Sequence, residues 1–341
     1  MNAAFAPVTT SDWPAAQRLL AETPMSAALP LAVERVGNLE TAFAALSGKS
    51  LAYVARQDGY VAGFVHGNVA VRRRHGASPA PLLYFGDLRV AKIARRTGIA
   101  LGLLDALARE AQLQGCTGGY CLVNEGNRAM LELLASGRSR IAGEPVRTLT
   151  TASRVAVRQR SASQDVLVAG PVLRPVCMMV ADQLAARPFA PVVTEEAVAA
   201  FFARHPEACV IAPREQPLRP LCILWDQHAL RRLHLTGQSL VVRAARAALG
   251  RQPSARVAEI GFTLDAAGVG TGLTELLAIA ADEGAHVVNV VESGPDPSQA
   301  PLRVPWAFQR TRTHVVPFGI AGHTAPVLPA SSPCFFDLTL L

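Results

Sequence analysis

One stretch of this sequence carries residue types at a spacing suited to holding a phosphorylated ligand. It runs Gly86-Asp-Leu-Arg-Val-Ala-Lys-Ile-Ala-Arg-Arg-Thr-Gly-Ile-Ala-Leu-Gly-Leu-Leu and ends at Leu104. A strand pattern passes into a basic, glycine-containing turn, and the turn opens an amphipathic helix. The first peptide N–H groups of a helix have no partner inside it, and the positive end of the helix dipole stands behind them. A pyrophosphate fits such a place. Gly98 and Ala100 keep the turn free of bulk so that phosphate oxygens can approach the backbone. Arg95 and Arg96 add formal positive charge.

The elements that must position this turn follow from the apolar pattern. Trp13 to Glu22 and Ala32 to Leu46 have helical spacing. Leu51 to Arg56 alternates like a strand, Asp58-Gly59 is a tight-turn signal, and Tyr60 to Val71 continues as the second strand of a hairpin. Arg72-Arg73-Arg74-His75-Gly76 reads as an exposed, solvated loop tip, with binding of an acidic acceptor or of a nucleotide 3′-phosphate as the other reading. Leu82 to Val90 is a third strand. Ile99 to Leu113 is a strong helix, stopped by Gly115. Gly119 to Val123 is a strand, Asn127 to Leu134 a short helix, and Arg147 to Val157 a final strand.

Arg95-x-x-Gly98-x-Ala100 resembles the pyrophosphate signature of the GNAT acyltransferase superfamily, Arg/Gln-x-x-Gly-x-Gly/Ala. The preceding strand resembles that family's fourth strand. Asn127-Arg-Ala-Met-x-x-Leu-Leu resembles its Asn-x-x-Ala-x-x-Leu-Tyr element, with Met130 in place of the alanine. The resemblance spans roughly residues 50–140. It implies a GNAT fold of the α/β class, with a mixed, mainly antiparallel sheet flanked by helices. It also implies acetyl-CoA as cofactor and transfer of its acyl group to an amine. Backbone groups of Leu88, Arg89 and Val90 would pair with the pantetheine arm like an added strand. The Arg95, Arg96, Thr97, Gly98, Ile99 and Ala100 turn would hold the pyrophosphate, and Asn127 would touch the thiol or pantetheine end.

The implied chemistry is attack of a neutral amine on a thioester, so a base must take a proton and a donor must meet the developing oxyanion. Asp87, beside the expected thioester, is the first candidate base; pairing with Arg89 is its structural reading. Glu125, at the end of the fifth strand, is the second. The family's acid tyrosine falls at Leu134 here, which puts that role in doubt. Tyr120 and Tyr84 are substitutes, or else packed aromatics. His66 faces the acceptor cleft or is a satisfied strand histidine.

The second half repeats the rhythm weakly. Glu195 to Arg204 is a helix with Thr194 as N-cap, and Cys209 to Ala212, Leu218 to Trp225, Arg256 to Leu264 and His286 to Val291 are strands. Gly272 to Glu283 is a helix. Gly102-Leu-Leu-Asp-Ala-Leu-Ala and Gly272-Leu-Thr-Glu-Leu-Leu-Ala each lead to a glycine and a strand, which hints at duplication. Gly268-Val-Gly270-Thr-Gly272 invites a dinucleotide-binding reading, but Leu273 stands where the third glycine belongs. The expectation is two tandem GNAT-like domains, 1–157 and 165–341. The second is a degenerate copy that walls the acceptor pocket with residues such as Trp225, Asp226, Gln227, His228 and Trp306, or holds the assembly together.

Composition bounds the rest. The chain has 341 residues, 50% of them apolar and 17% charged, which suits well-packed domains and excludes disorder. The net charge of +7 suits a phosphate-bearing partner. It is spread without a basic tail or stripe, which argues against nucleic acid. No apolar run is long enough to span a bilayer, and the N-terminal residues lack a secretory layout. A cytoplasmic protein with a small-molecule amine acceptor, no membrane partner and room for a homodimer is the expectation. Cys116, Cys121, Cys177, Cys209, Cys222 and Cys334 form no CxxC pair. They read as buried thiols, against a zinc site or disulfide framework.

Overall fold

The computed structural model describes residues 3–23, 31–35, 39–40, 48–74, 76–155, 166–169, 174–185, 187, 189–205, 208–213, 222–226, 231–235, 257–261, 266–282, 285–292 and 309–328. In chain order the first strands are β1 (Ala4–Pro7), β2 (Leu31–Arg35), β3 (Lys49–Gln57), β4 (Tyr60–Arg74), β5 (Ala77–Val90), β6 (Gly118–Asn124), β7 (Ile141–Gly143) and β8 (Arg147–Val155). Then come β9 (Val166–Ala169), β10 (Ala208–Pro213), β11 (Cys222–Asp226), β12 (Arg231–Leu235), β13 (Val257–Gly261), β14 (Val287–Glu292) and β15 (Gln309–Ile320). The helices are α1 (Trp13–Glu22), α2 (Ile99–Leu113), α3 (Arg128–Ala135), α4 (Arg174–Ala185), α5 (Glu195–Arg204) and α6 (Ala266–Asp282).

Contacts divide the chain into two compact units. The first joins Met1–Thr148 to Thr313–Ala330 and Leu340–Leu341; the second holds Leu149–Arg312 and Ser331–Thr339. A division into two contiguous segments does not contain this late return of the chain.

The first unit has strand order β1-β3-β4-β5-β6-β15-β7. Every neighbouring pair is antiparallel except β5 with β6, the mixed, mainly antiparallel sheet expected from sequence. Asp58 and Gly59, both at positive φ, close the β3–β4 hairpin. α2 lies across the sheet with Leu103, Leu104, Leu107, Ala108 and Ala111 buried against Val65, Leu83 and Phe85. Its close seating depends on Gly63 of β4, where an added Cβ would stand 2.6 Å from Ile99 Cγ2. α1 covers the opposite face, with Ala16 and Leu19 against Val54 and Phe64. Asp12 ties this helix down. Its carboxylate accepts from the backbone N–H and hydroxyl of Thr9 and from Arg56.

The second unit has order β9-β10-β11-β13-β14-β8, with antiparallel pairs throughout except β13 with β14. α6 connects that parallel pair, as α2 connects β5 to β6. Strand order and sense thus repeat those of the first unit from β1 to β15. Its core joins Leu273, Leu276, Leu277 and Ala280 of α6 to Ile211, Leu224, Val288 and Val290. Thr194 caps α5 by accepting from the Ala197 N–H.

Three sequence expectations are corrected. Residues 32–35, expected as the start of a helix, belong to the strand Leu31–Arg35; the three consecutive apolar residues Leu31, Ala32 and Val33 show neither a helical nor a strand period by themselves. Arg72, Arg73 and Arg74 are not a solvated loop tip but the end of β4, and Arg72 is wholly buried. Gly268, Gly270 and Gly272 do not form a turn before a helix; they lie inside α6. Residues 158–164 between the two expected domains, together with His75, Gln227, His228, Trp306 and Cys334, lie outside the described residues.

Candidate functional site

β5 and β6 pair in parallel over only three residues, Leu83–Phe85 with Gly119–Cys121. Beyond them the strands splay. A bulge drives the divergence: β5 shifts register against β4 between the Phe64–Arg89 and His66–Gly86 pairs. Asp87 sits in it at φ +51, a left-handed conformation rare for a side chain with a Cβ. The freed edge of Gly86–Val90 therefore faces the gap instead of a neighbouring strand.

A cavity of about 720 Å³ opens in this gap. Asp87, Leu88, Arg89 and Val90 line one side, and Cys121 to Asn124 the other. Arg95, Arg96, Gly98, Ile99 and Ala100 close one end, and Asn127, Arg128 and Met130 stand near the other strand's end.

The basic turn is built as the sequence requires. Arg96 and Gly98 both take positive φ, and Gly98, at φ 88, is the N-cap of α2. The first intrahelical bond runs from the Gly102 N–H to the Gly98 carbonyl, so the preceding amides have no partner within the helix. The first turn of α2 holds no acidic residue, and the dipole there is left for an external anion. Arg95 and Arg96 are exposed beside it. Thr97 does not line the cavity; its hydroxyl donates to the Ala94 carbonyl at 2.7 Å and shapes the turn.

Asn127 caps α3, its Oδ1 accepting from the Met130 N–H at 3.3 Å. That leaves the carboxamide nitrogen as the end that can donate toward the cavity. Arg128 and Arg138 also line the cleft. Sequence reasoning missed both, though Arg128 follows Asn127 directly and its charge was a usable signal.

The candidate catalytic residues do not converge. Asp87 lines the cavity, with one carboxylate oxygen 3.7 Å from a terminal nitrogen of Arg89, and both side chains are mostly buried. Glu125 is exposed in the turn after β6, outside the cavity lining. Tyr120 is wholly buried on the sheet face opposite α2 and does not line the cavity. Burial pushes its phenol above the usual tyrosine value, with Arg72 opposing, so it keeps its proton near neutrality. Leu134, where the resemblance expects an acid tyrosine, is a buried core residue. Cys121 lines the cavity, but burial raises its thiol far above the ordinary range and keeps it neutral.

Residues 13–137 match the family model described as Acetyltransferase (GNAT) family. No curated protein matches the chain in sequence. Among solved structures, N-myristoyltransferase of Saccharomyces cerevisiae with bound myristoyl-CoA is similar over 97% of this chain and 86% of its own, at TM-score 0.60 and 8% identity. A GCN5-related N-acetyltransferase from Sphaerobacter thermophilus is similar over 97% of this chain and 98% of its own, at TM-score 0.56 and 12% identity. These likenesses bear on fold. The family match shows that the chain carries, at residues 13–137, an acetyltransferase domain of the GNAT family and is an enzyme of acyl transfer.

Proposed function

We propose that the protein moves an acetyl group from acetyl-CoA to the primary amine of a small acceptor, by direct attack in a ternary complex. The observation that carries this reading is the splay of β5 from β6, which ends at the uncompensated N-terminus of α2. The residues fit the cofactor. The 95–100 turn would hold the pyrophosphate, the open edge of Leu88, Arg89 and Val90 the pantetheine amides, and Asn127 the thiol end. Asp87 would take a proton from the acceptor amine, directly or through water. The amine nitrogen bonds to the acyl carbon, the carbon–sulfur bond breaks, and CoA leaves as thiolate. A backbone N–H at the bulged strand would meet the charge on the carbonyl oxygen. Proximity in the gap supplies much of the rate.

The second unit, in this proposal, is a degenerate copy of the first. The repeated strand order supports common descent, and Val257 to Asp282 contains no lysine or arginine to hold a pyrophosphate.

The test is calorimetric titration with acetyl-CoA, repeated on Gly98→Glu. One site per chain, lost in the variant, is expected. Two sites per chain would overturn the degenerate second copy, and no binding would overturn the proposal.

A further inference from the structure

The cavity between β5 and β6 is lined by five arginines, Arg89, Arg95, Arg96, Arg128 and Arg138, against one carboxylate, that of Asp87. Arg89 lies 3.7 Å from that carboxylate, and the two charges offset each other. Arg95 and Arg96 flank the open N-terminus of α2, and their charges match those of a pyrophosphate. Arg128 and Arg138 remain as a surplus that the pyrophosphate does not use. Both are exposed, and among the described residues no carboxylate pairs with either.

These two arginines stand at the ends of α3. Arg128 is its first residue, where the helix dipole disfavours a cation and no acidic residue in the first turn offsets it. Arg138 follows the last residue of the helix by three. Its Nε donates to Ser136 Oγ at 3.4 Å, which steadies the stem and leaves the two terminal nitrogens of the fork. The chain there runs beside α2. The Arg140 N–H donates to the Asp105 carboxylate at 2.6 Å, and Asp105 is one turn past Leu101, which lines the cavity with Ile99 and Ala100. Between the two arginines, Ala129, Met130 and Leu133 line the same wall. α3 has eight residues, about 12 Å of helix at about 1.5 Å per residue. Long side chains from its two ends can therefore meet over that apolar strip.

We infer that Arg128 and Arg138 hold a second phosphate, the 3′-phosphate on the ribose of a CoA donor, with the apolar strip beneath its adenine ring. The inference rests on the acyl-CoA reading of the cleft. It narrows the donor to a free CoA thioester, recognised by its nucleotide end, as against a phosphopantetheine arm carried on a protein. A phosphate monoester carries about −1.5 to −2 charges near neutrality, the amount two guanidinium groups offset. Its oxygens also accept the paired N–H groups of an arginine fork. Arg72, Arg73 and Arg74, the basic run that the sequence offered for this phosphate, end β4; Arg72 is wholly buried, and none of the three lines the cavity.

Calorimetric titration of the full chain with CoA and with 3′-dephospho-CoA, which lacks that phosphate alone, tests the assignment. CoA should bind about tenfold tighter, the yield of two partly solvated charge pairs. 4′-Phosphopantetheine, the arm a carrier protein presents, should bind more weakly than either. Arg128→Gln and Arg138→Gln should each weaken CoA binding by about threefold and leave dephospho-CoA binding unchanged. In the double variant the two ligands should bind alike, which is the mark of direct coupling. Both side chains are exposed, so Tm should hardly move. Equal affinity for CoA and dephospho-CoA in the unaltered protein would overturn the subsite. So would a preference that survives the double variant, an equal loss of both ligands in the variants, or phosphopantetheine binding as tightly as CoA. Failure of the unaltered protein to bind any of the three would instead overturn the acyl-CoA reading beneath it.

Discussion

Asp87 occupies a conformation that costs free energy for any residue with a Cβ, and it does so at the point where the strands part. Asp87→Asn keeps size and backbone and removes only the base. Steady-state kinetics should show kcat reduced by about 10²–10⁴-fold, with acetyl-CoA affinity unchanged by calorimetry. Were the pair with Arg89 its whole role, Tm would fall and kcat would survive. Asp12 offers a different test, in stability. Burial raises its pKa, but hydrogen bonds from Thr9 and the Arg56 guanidinium outweigh that and hold the carboxyl below its ordinary value. A carboxyl lowered in the folded state stabilises above its unfolded pKa and loses that contribution as pH falls through the folded one. Thermal melts from roughly pH 5 down to 2 should show a shallower acid limb for Asp12→Asn. At neutral pH the variant should lose about 1.5–3 kcal/mol, the worth of hydrogen bonds to a charged group.

At the scale of elements, α2 links packing to the cleft. Its first residue, Ile99, touches β4 at Gly63, and Leu107, two turns on, touches it at Gly67. Gly63→Val would push the helix start away from the sheet, costing about 1–3 kcal/mol as overpacking does. Because Ile99 follows the Gly98 cap, the same change should weaken acetyl-CoA binding. Gly67→Ala should lower Tm comparably and leave that affinity nearly intact; differential scanning and titration on both variants check this. Much of this architecture was legible. Trp13–Glu22, Ile99–Leu113 and Glu195–Arg204 declare their ends through Pro14, Gly115 and Thr194, which are local signals. The basic turn and Asn127 were legible for the same reason. Arg72 was not, because charge marks a residue as polar without saying which face of a strand it takes. Nor was the bulge at Asp87, since a register shift depends on a partner strand.

At the scale of the whole chain, the feature least visible in sequence is the late return to the first unit. β15 lies between β6 and β7, pairing Thr313–Gly319 with Asn124–Gly118 and Phe318–Ile320 with Gly143–Ile141. It brings Val316, Phe318 and Ile320 into the core shared with α2 and Cys121. Local periodicity cannot report a pairing across some 190 residues, for example Thr313 with Asn124. The sheet beside the cleft is therefore completed by the distal strand, and a change there should be felt at residues 83–123. Phe318 meets the Phe85 ring at 5.3 Å, and Phe85 is the last β5 residue paired before the splay. Phe318→Ala should cost about 3–5 kcal/mol, a large part of a typical domain's stability. It should also loosen the parallel pair that sets the width of the gap. The full-length variant should unfold at lower denaturant and bind acetyl-CoA more weakly, although the substitution lies far outside residues 13–137. Denaturant titration followed by calorimetry reads both effects. An unchanged affinity beside a lowered stability would show that the width of the cleft is set by the bulge at Asp87 alone, without help from β15.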